Sequence, residues 1–472
     1  MSGLCALDAT ALGNAFRAGT TTPEAVLKAH LGRLTQVDPL LHAMAWVDAD
    51  GARAAARDST ARWRAGQQLS LLDGVPCTIK DNIPVAGLPC RWGSRLYANY
   101  LPPRDESPVG RLRAAGAVIL GKTAVPEFTL QGCTCSPLTG VTRNPWDLAL
   151  TPGGSSGGAV AALAAGVGAF AVGTDGGGSI RRPAGFTGLY GFKPGRDVVP
   201  RSNGLPEILP GMEVIGPVTR SARDLPRVLA ALAGGDPARF APTQGSRPLR
   251  IAYWREISAS PVDPDVLSLC DQAAERLRAL GHAVCVCDAP PPVQAFNQQA
   301  WPVISTTGLA YVLRMRQDTH QLTRPLAEML TRGRTWLATD LFAAQAVVRA
   351  LARAMRGVFQ DDDLIMTPTS AAMPWQADLP HPSQIAAQGV DGRGHAVFTA
   401  FANAVGLPAV ALPAGHAGHL PVGFQLVGPA GSDALLLGMA QAWAAAYPPR
   451  ERAINHLPSF ASTEDSPACL TH

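Results

Sequence analysis

Apolar and polar positions follow two different periods along the chain. Between 22 and 36, Val26, Leu27, His30, Leu31 and Leu34 recur at helical spacing, with Thr22 placed to cap the segment and Pro23 suited to its first turn. The pattern predicts a helix there and a second one over about 50–65. Short β-like runs then occupy 75–80, 118–122 and 170–174, bounded by turn residues and separated by helical stretches such as 109–115. Strands alternating with helices in this way argue for a mixed sheet with helices on both faces.

Beyond Gly234 the texture changes. Segments 250–254 and 282–288 read as strands flanking an amphipathic helix over 263–280, as in a βαβ unit. Residues 296–360 read as largely helical and hold no catalytic cluster; 364–369, 409–413 and 422–427 return to strand, followed by a helix over 432–447. From Arg450 the chain turns polar, as a surface tail does. No internal repeat has a solenoid or propeller period.

Composition narrows the function classes. With 47% hydrophobic and 16% charged residues, 48 Gly and 41 Pro in 472 residues, this is a loop-rich globular chain and not a disordered one. The net charge of +4 comes from scattered arginines, so no basic stripe suggests nucleic acid. Met1–Ala11 has neither a basic nor an apolar leader segment, which makes the cytoplasm the expected compartment. The small-apolar run 159–173 is broken by Gly166 and Gly168 and is too short to span a bilayer, so no membrane association is expected. Nine cysteines include the pairs Cys133/Cys135 and Cys285/Cys287, spaced C-x-C and not C-x-x-C; buried free thiols are expected, and no metal site. Cys133 lies near the chemistry described next, so a modulating thiol is one role open to it.

Residues 74–195 carry that chemistry. Pro152-Gly-Gly-Ser155-Ser156-Gly-Gly158 precedes the apolar run 159–165, so its serines fall where a helix begins. A flexible Gly/Ser linker would read the same locally, but linkers are not followed at once by a buried run. Twenty-four residues after Ser155, Asp175-Gly176-Gly177-Gly178-Ser179 follows a strand-like run, and successive glycines let several backbone N–H groups converge on one point, as an oxyanion hole requires. Phosphate binding would compete, but this glycine run matches neither G-x-x-x-x-G-K-[ST] nor G-x-G-x-x-G.

A nucleophilic serine needs a base. No histidine lies between His42 and His282, although His395 or His416 could fold back. Lysine is the other candidate, because burial can leave it neutral near pH 7, and the chain has only four: Lys28, Lys80, Lys122 and Lys193. Lys80 ends the apolar run 75–79, which makes it a candidate base. The competing reading is a buried lysine held in an ion pair with Asp81 or Asp175.

Five blocks now stand together: Gly74-Val75-Pro76 with Lys80-Asp81-Asn82, Gly121-Lys122-Thr123, Asn144-Pro145-Trp146, the 152–158 stretch, and Gly173-Thr-Asp175 with Gly177-Gly178-Ser179-Ile-Arg181 and Pro183-Ala184. In this order and spacing the chain resembles the amidase signature family, a likeness that continues through Gly191-Phe192-Lys193-Pro194-Gly195, Leu407-Pro408-Ala409 and Leu420-Pro421-Val422-Gly423-Phe424-Gln425. The resemblance implies one α/β domain over 1–460 with a central mixed, twisted sheet covered by helices on both faces. Within it, N-terminal helices would span 1–70, the catalytic core 71–230, a variable substrate-pocket region 290–360, and a C-terminal sheet and helix 361–450, with a polar tail over 461–472.

Carried over position by position, the resemblance implies that Ser179 attacks an amide carbonyl and becomes the acyl-enzyme. Ser155, whose match in the family follows a cis peptide bond, would relay protons between Ser179 and a neutral Lys80. Gly176, Gly177, Gly178 and Ser179 would donate backbone N–H groups to the oxyanion, and Thr129 matches a position whose backbone lies along the substrate. Ser156, Asp175 and Arg181 would support the loops. No cofactor is implied. The expected partner is a small-molecule amide, with Phe128, Trp301, Tyr311 and Trp336 as candidate pocket walls within 128–139 and 296–350. Relatives are often homodimers, but no stretch here marks a dimer face.

Two other functions stand beside this one. The first is the glutaminase component of a tRNA-dependent amidotransferase; that component's basic Glu-Val-Lys-Arg-Arg-Ile stretch is missing, and this chain reads Arg332-Gly-Arg-Thr-Trp-Leu337. The second is a non-catalytic scaffold on the same fold, against which the three intact catalytic positions argue.

Overall fold

Eleven strands join in one mixed sheet. They are β1 (Met44–Val47), β2 (Pro76–Lys80), β3 (Val118–Thr123), β4 (Phe170–Asp175), β5 (Tyr190–Lys193), β6 (Val214–Thr219), β7 (Arg250–Tyr253), β8 (Ala283–Val286), β9 (Leu364–Pro368), β10 (Ala409–Ala417) and β11 (Leu420–Val427). Their order across the sheet is β1-β3-β2-β4-β6-β5-β10-β11-β9-β7-β8. The computed structural model describes residues 3–243, 247–449, 453 and 457, so the expected tail over 461–472 lies outside the described residues.

Side-chain alternation along the strands shows why helices cover both faces. On β3, Val118 and Leu120 pack with Leu27, Leu34, Ala52 and Ala56 of the helices Pro23–Leu41 and Ala49–Arg64, while Ile119 enters the large cluster on the other face. On β4, Phe170 and Val172 join that large cluster and Ala171 packs with Ala159, Val160 and Leu163 of the helix Gly157–Ala164. Strands buried on both faces read as continuous apolar runs, which is what made β2, β3 and β4 recognisable in the sequence.

The expected elements recur with small boundary changes. The first predicted helix extends from Pro23 to Leu41 and ends at His42, whose φ of 50° terminates it. The βαβ reading holds: β7 and β8 are parallel, with the helix Pro264–Ala279 between them. Strands β1, β5 and β6 were not legible. β6 is central, yet it reads Val-Ile-Gly-Pro-Val-Thr, and its glycine and proline look like punctuation until its neighbours β4 and β5 are in place.

Two topological facts position the site. Strands β2 and β4 are neighbours and parallel, so both carboxyl ends emerge at the same edge of the sheet, one at Lys80 and the other at Asp175. Loops at the carboxyl ends of parallel strands are where α/β sheets place ligands.

Candidate active site

Lys80 is fully buried at the end of β2. It continues the row of Thr78, opposite the row of Cys77 and Ile79, which packs in the core. Its Nζ lies 2.8 Å from Ser155 Oγ, 2.8 Å from Thr174 Oγ1 and 3.2 Å from the Thr174 carbonyl oxygen. Burial pulls the Lys80 ammonium down to about 7, against the opposing pull of Asp175 and Glu213. No carboxylate forms an ion pair with it: among the described residues Asp81 pairs with Lys122 at 3.4 Å, and Asp175 with Arg181 at 3.0 Å. The reading of Lys80 as a structural ion-pair partner therefore fails.

A neutral amine has two donors and one lone pair, and the three contacts match that inventory. The Thr174 carbonyl can only accept from the amine, and the Thr174 hydroxyl, itself bonded to Asn82, can take the second N–H. The lone pair is then left for the Ser155 hydroxyl proton.

Ser155 sits on the loop that leads into the helix Gly157–Ala164, and the Gly154–Ser155 peptide bond is cis. Ser156 donates its backbone N–H to the Ser179 carbonyl at 3.2 Å and its hydroxyl to the Thr174 carbonyl at 3.4 Å, which ties the two glycine-rich loops together. Ser155 and Ser179 both line a cavity of about 180 Å³, together with Thr129, Gly176 and Gly177. No hydrogen bond joins the two hydroxyls, and Ser179 Oγ has no partner among the described residues.

The loop carrying Ser179 is held from below by Asp175. Its carboxylate accepts from the backbone N–H of Gly178 at 2.6 Å and of Ile180 at 3.1 Å, and from Arg181 Nε and Nη2, each at 3.0 Å. Asn403 donates to the same carboxylate, and Arg181 reaches on to Gln425 Oε1 and the Thr399 carbonyl. Burial would raise the Asp175 carboxyl, but Arg181 and then Lys193 outweigh it and hold the group well below the usual carboxylate range.

This network corrects one expectation. The Gly178 amide is committed to Asp175 and Gly178 does not line the cavity, so it is not an oxyanion donor; the N–H groups of Gly176, Gly177 and Ser179 carry no bond among the described residues. Gly178 is required for another reason, because the turn holds its φ at 114°, where a side chain is strained.

The remaining expected residues divide. Phe128 and Thr129 line the cavity, both at positive φ (53° and 58°), with Trp92 Nε1 bonded to Thr129 Oγ1. Trp301 lines it as well. Tyr311 and Trp336 do not: Tyr311 is exposed and borders a separate apolar groove of about 520 Å³, and Trp336 donates its indole N–H to Thr306. From 296–350 only Trp301 and Pro325 reach the cavity; other residues of that stretch bond elsewhere, Asn297 to the Val397 carbonyl, Arg316 to the Leu96 carbonyl and Thr323 to Glu127. Cys133 is buried against Phe186 and Trp375, and burial pushes its thiol up to about 12, which leaves it inert and outside the cavity lining.

Several lining residues had no local signal in the sequence. Arg182, Glu213, Arg393 and His395 all border the cavity. His395 did fold back as its competing role required, but burial and the nearby Arg182 hold its imidazole well below its usual range, and neither ring nitrogen contacts a serine. His416 instead packs against Trp146.

Known proteins give the following likenesses. A family profile described as Amidase matches residues 25–437. The glutamyl-tRNA(Gln) amidotransferase A subunit of Symbiobacterium thermophilum is 33% identical over 93% of this chain and 96% of its own. The fold is similar to a bacterial aryl acylamidase of the amidase signature enzymes, with TM-score 0.85 and 26% identity over 94% of this chain and 96% of that one. It is also similar to the crystal structure of an amidase, with TM-score 0.86 and 28% identity over 93% of this chain and 99% of that one.

Proposed function

The chain belongs to the amidase signature family, and from that premise we propose that it cleaves a carboxylic amide through an acyl-enzyme on Ser179. The observation that carries the reading is the 2.8 Å contact between a buried Lys80 amine, free of any carboxylate partner, and the Ser155 hydroxyl. Lys80 accepts the Ser155 proton while Ser155 accepts the proton of Ser179, whose oxygen attacks the carbonyl carbon. The N–H groups of Gly176, Gly177 and Ser179 are free to receive the developing oxyanion. The proton returns by the same relay to the leaving amine or ammonia, and water activated by Lys80 then releases the acid. The scheme calls on no metal or organic cofactor.

Solved structures with this fold include an aryl acylamidase, and this supports a small-molecule amide as substrate. A second reading has a specific observation behind it: relatives by sequence include amidotransferase A subunits at 33–35% identity, which supports glutamine as the amide and a partner chain as acceptor. The sequence Arg332–Leu337 weighs against it, since the basic stretch of that component is not there. No helix among the described residues is long and apolar enough to cross a membrane, and the eight described cysteines are all free, which suits a reducing cytoplasm.

A fluorophosphonate probe tests the shared core of both readings. Labelling of the purified chain that disappears in Ser179→Ala supports it; a folded chain that stays unlabelled sinks it. Ammonia release from glutamine, set beside a panel of aliphatic, aryl and amino-acid amides, then separates the two substrates.

A further inference from the structure

We propose that Arg393 gives the Ser179 cavity its selectivity, by gripping a carboxylate carried on the substrate amide. The proposal rests on the amide-cleaving reading above and names the class of amide.

Two nitrogens of Arg393, Nε and Nη2, are buried and have no hydrogen-bond partner among the described residues. Leaving buried donors unpaired is costly, and more so for a charged group. Nε–H and Nη2–H form one edge of the guanidinium, the fork that matches the two oxygens of a carboxylate. The same molecule shows that fork in use. Arg62 holds Asp73 through Nε at 2.8 Å and Nη2 at 2.6 Å, Arg223 holds Asp8 at 2.7 and 2.6 Å, and Arg316 holds Asp318 at 2.9 and 2.6 Å. In Arg393 the corresponding edge is open.

Its surroundings keep it open. Asp391, the nearest acid in sequence, spends its Oδ1 on the Arg393 backbone N–H at 2.8 Å. Glu213, the acid that lines the same cavity, accepts the backbone N–H groups of Ile208 and Leu209 through Oε1, each at 3.0 Å. No described carboxylate forms an ion pair with Arg393. The guanidinium is held in place by Trp301, with Cζ 4.1 Å from the ring centroid, and Trp301 in turn abuts Gly177 beside the nucleophile. Arg182, the other cavity arginine, also has an unpartnered Nε, but its Nη2 donates to the Gly154 carbonyl at 3.4 Å and its Nη1 to the Gly177 carbonyl at 2.5 Å and to Thr399 Oγ1 at 2.9 Å, so its corresponding edge is not open. Arg393 is therefore the cavity cation with a free carboxylate-binding edge. Burial and the charge of Arg182 both pull it below its usual range, so an incoming anion relieves an existing cost.

Binding can be read without turnover. Calorimetry on full-length Ser179→Ala compares the monoamides of succinic, glutaric and adipic acid, and glutamine, with the matching diamides, whose far end is neutral. At least one acid amide is expected to bind ten times or more tighter than its diamide, and Arg393→Gln in the same background is expected to erase that preference while leaving diamide binding within twofold. Arg393→Lys, which keeps the charge without the fork, should retain only part of it and serves in place of the glutamine variant if that one does not fold. Equal binding of acids and diamides, or a preference that survives loss of the guanidinium, overturns the proposal. Failure of Ser179 labelling would sink the amide-cleaving reading without altering this titration, so the two failures are distinguishable.

Discussion

Lys80 Nζ and Ser155 Oγ lie 2.8 Å apart, 75 residues distant in sequence, with no acid paired to the amine. Because burial brings the amine down to about 7, its proton occupancy changes within the working range of an enzyme. The basic form is the competent one, so kcat/KM should rise about tenfold per pH unit below that value and level off above it. A profile measured on the best amide substrate, with wild type and Ser155→Ala, checks this. Flat activity from pH 5 to 9 would remove Lys80 from the role.

The same depressed lysine has a consequence for stability. In the unfolded chain the group titrates near its ordinary value of 10.5, so between about 7 and 10.5 the unfolded state binds more protons than the folded one. Stability linked to Lys80 therefore rises with pH across that window, and the burial penalty is fully present below it. Lys80→Met removes the titrating group while keeping the buried chain, so it should abolish activity and raise stability by about 1–2 kcal/mol at pH 6, less at pH 10. Urea denaturation at the two pH values reads the difference; a destabilised variant at pH 6 contradicts the assigned cause of the shift.

Legibility in the sequence followed locality. Lys80, Ser155, Ser179 and Asp175 each sit in a short block whose glycines and strand end announce a site, and the structure brings the lysine and Ser155 into contact and the two serines to one cavity. The wall opposite was not readable. Arg393 and His395 come from a loop more than 200 residues after Ser179, and nothing beside them in the chain marks them as facing it. Tyr311 and Trp336 show the converse error: aromatic residues in a helical stretch look like pocket walls until the helix direction is known, and theirs point elsewhere. Gly178 was misassigned because a run of three glycines does not say which amide is already taken, here by Asp175.

Asp175 and Arg181 form a fully buried pair whose remaining hydrogen-bonding capacity is met by Asn403, Gln425, Thr399 and loop amides. Removing one member strands a charge. Arg181→Met should cost about 3–5 kcal/mol and release the Ser179 loop, so that activity falls at temperatures where the fold survives. The double variant Asp175→Asn with Arg181→Met should recover part of the stability and little of the activity. Denaturant midpoints beside kcat for the two variants test the pair; an Arg181→Met midpoint equal to wild type would show that the network carries no weight.

Gly177 offers a steric test of the oxyanion loop. A Cβ placed there would stand 2.5 Å from the ring of Trp301, so Gly177→Ala must displace either the indole or the cavity-lining loop that carries the unbonded N–H groups. If the loop yields, the oxyanion donors move, and losing one such donor costs about 10²–10³ in kcat. Trp301→Leu removes the obstructing ring and should lower KM-dependent selectivity more than kcat. In the Gly177→Ala, Trp301→Leu double variant, kcat should therefore recover by about tenfold or more over Gly177→Ala alone, a coupling expected only for residues in contact. Losses that simply multiply would mean that the methyl group acts through the backbone of the loop and not through Trp301.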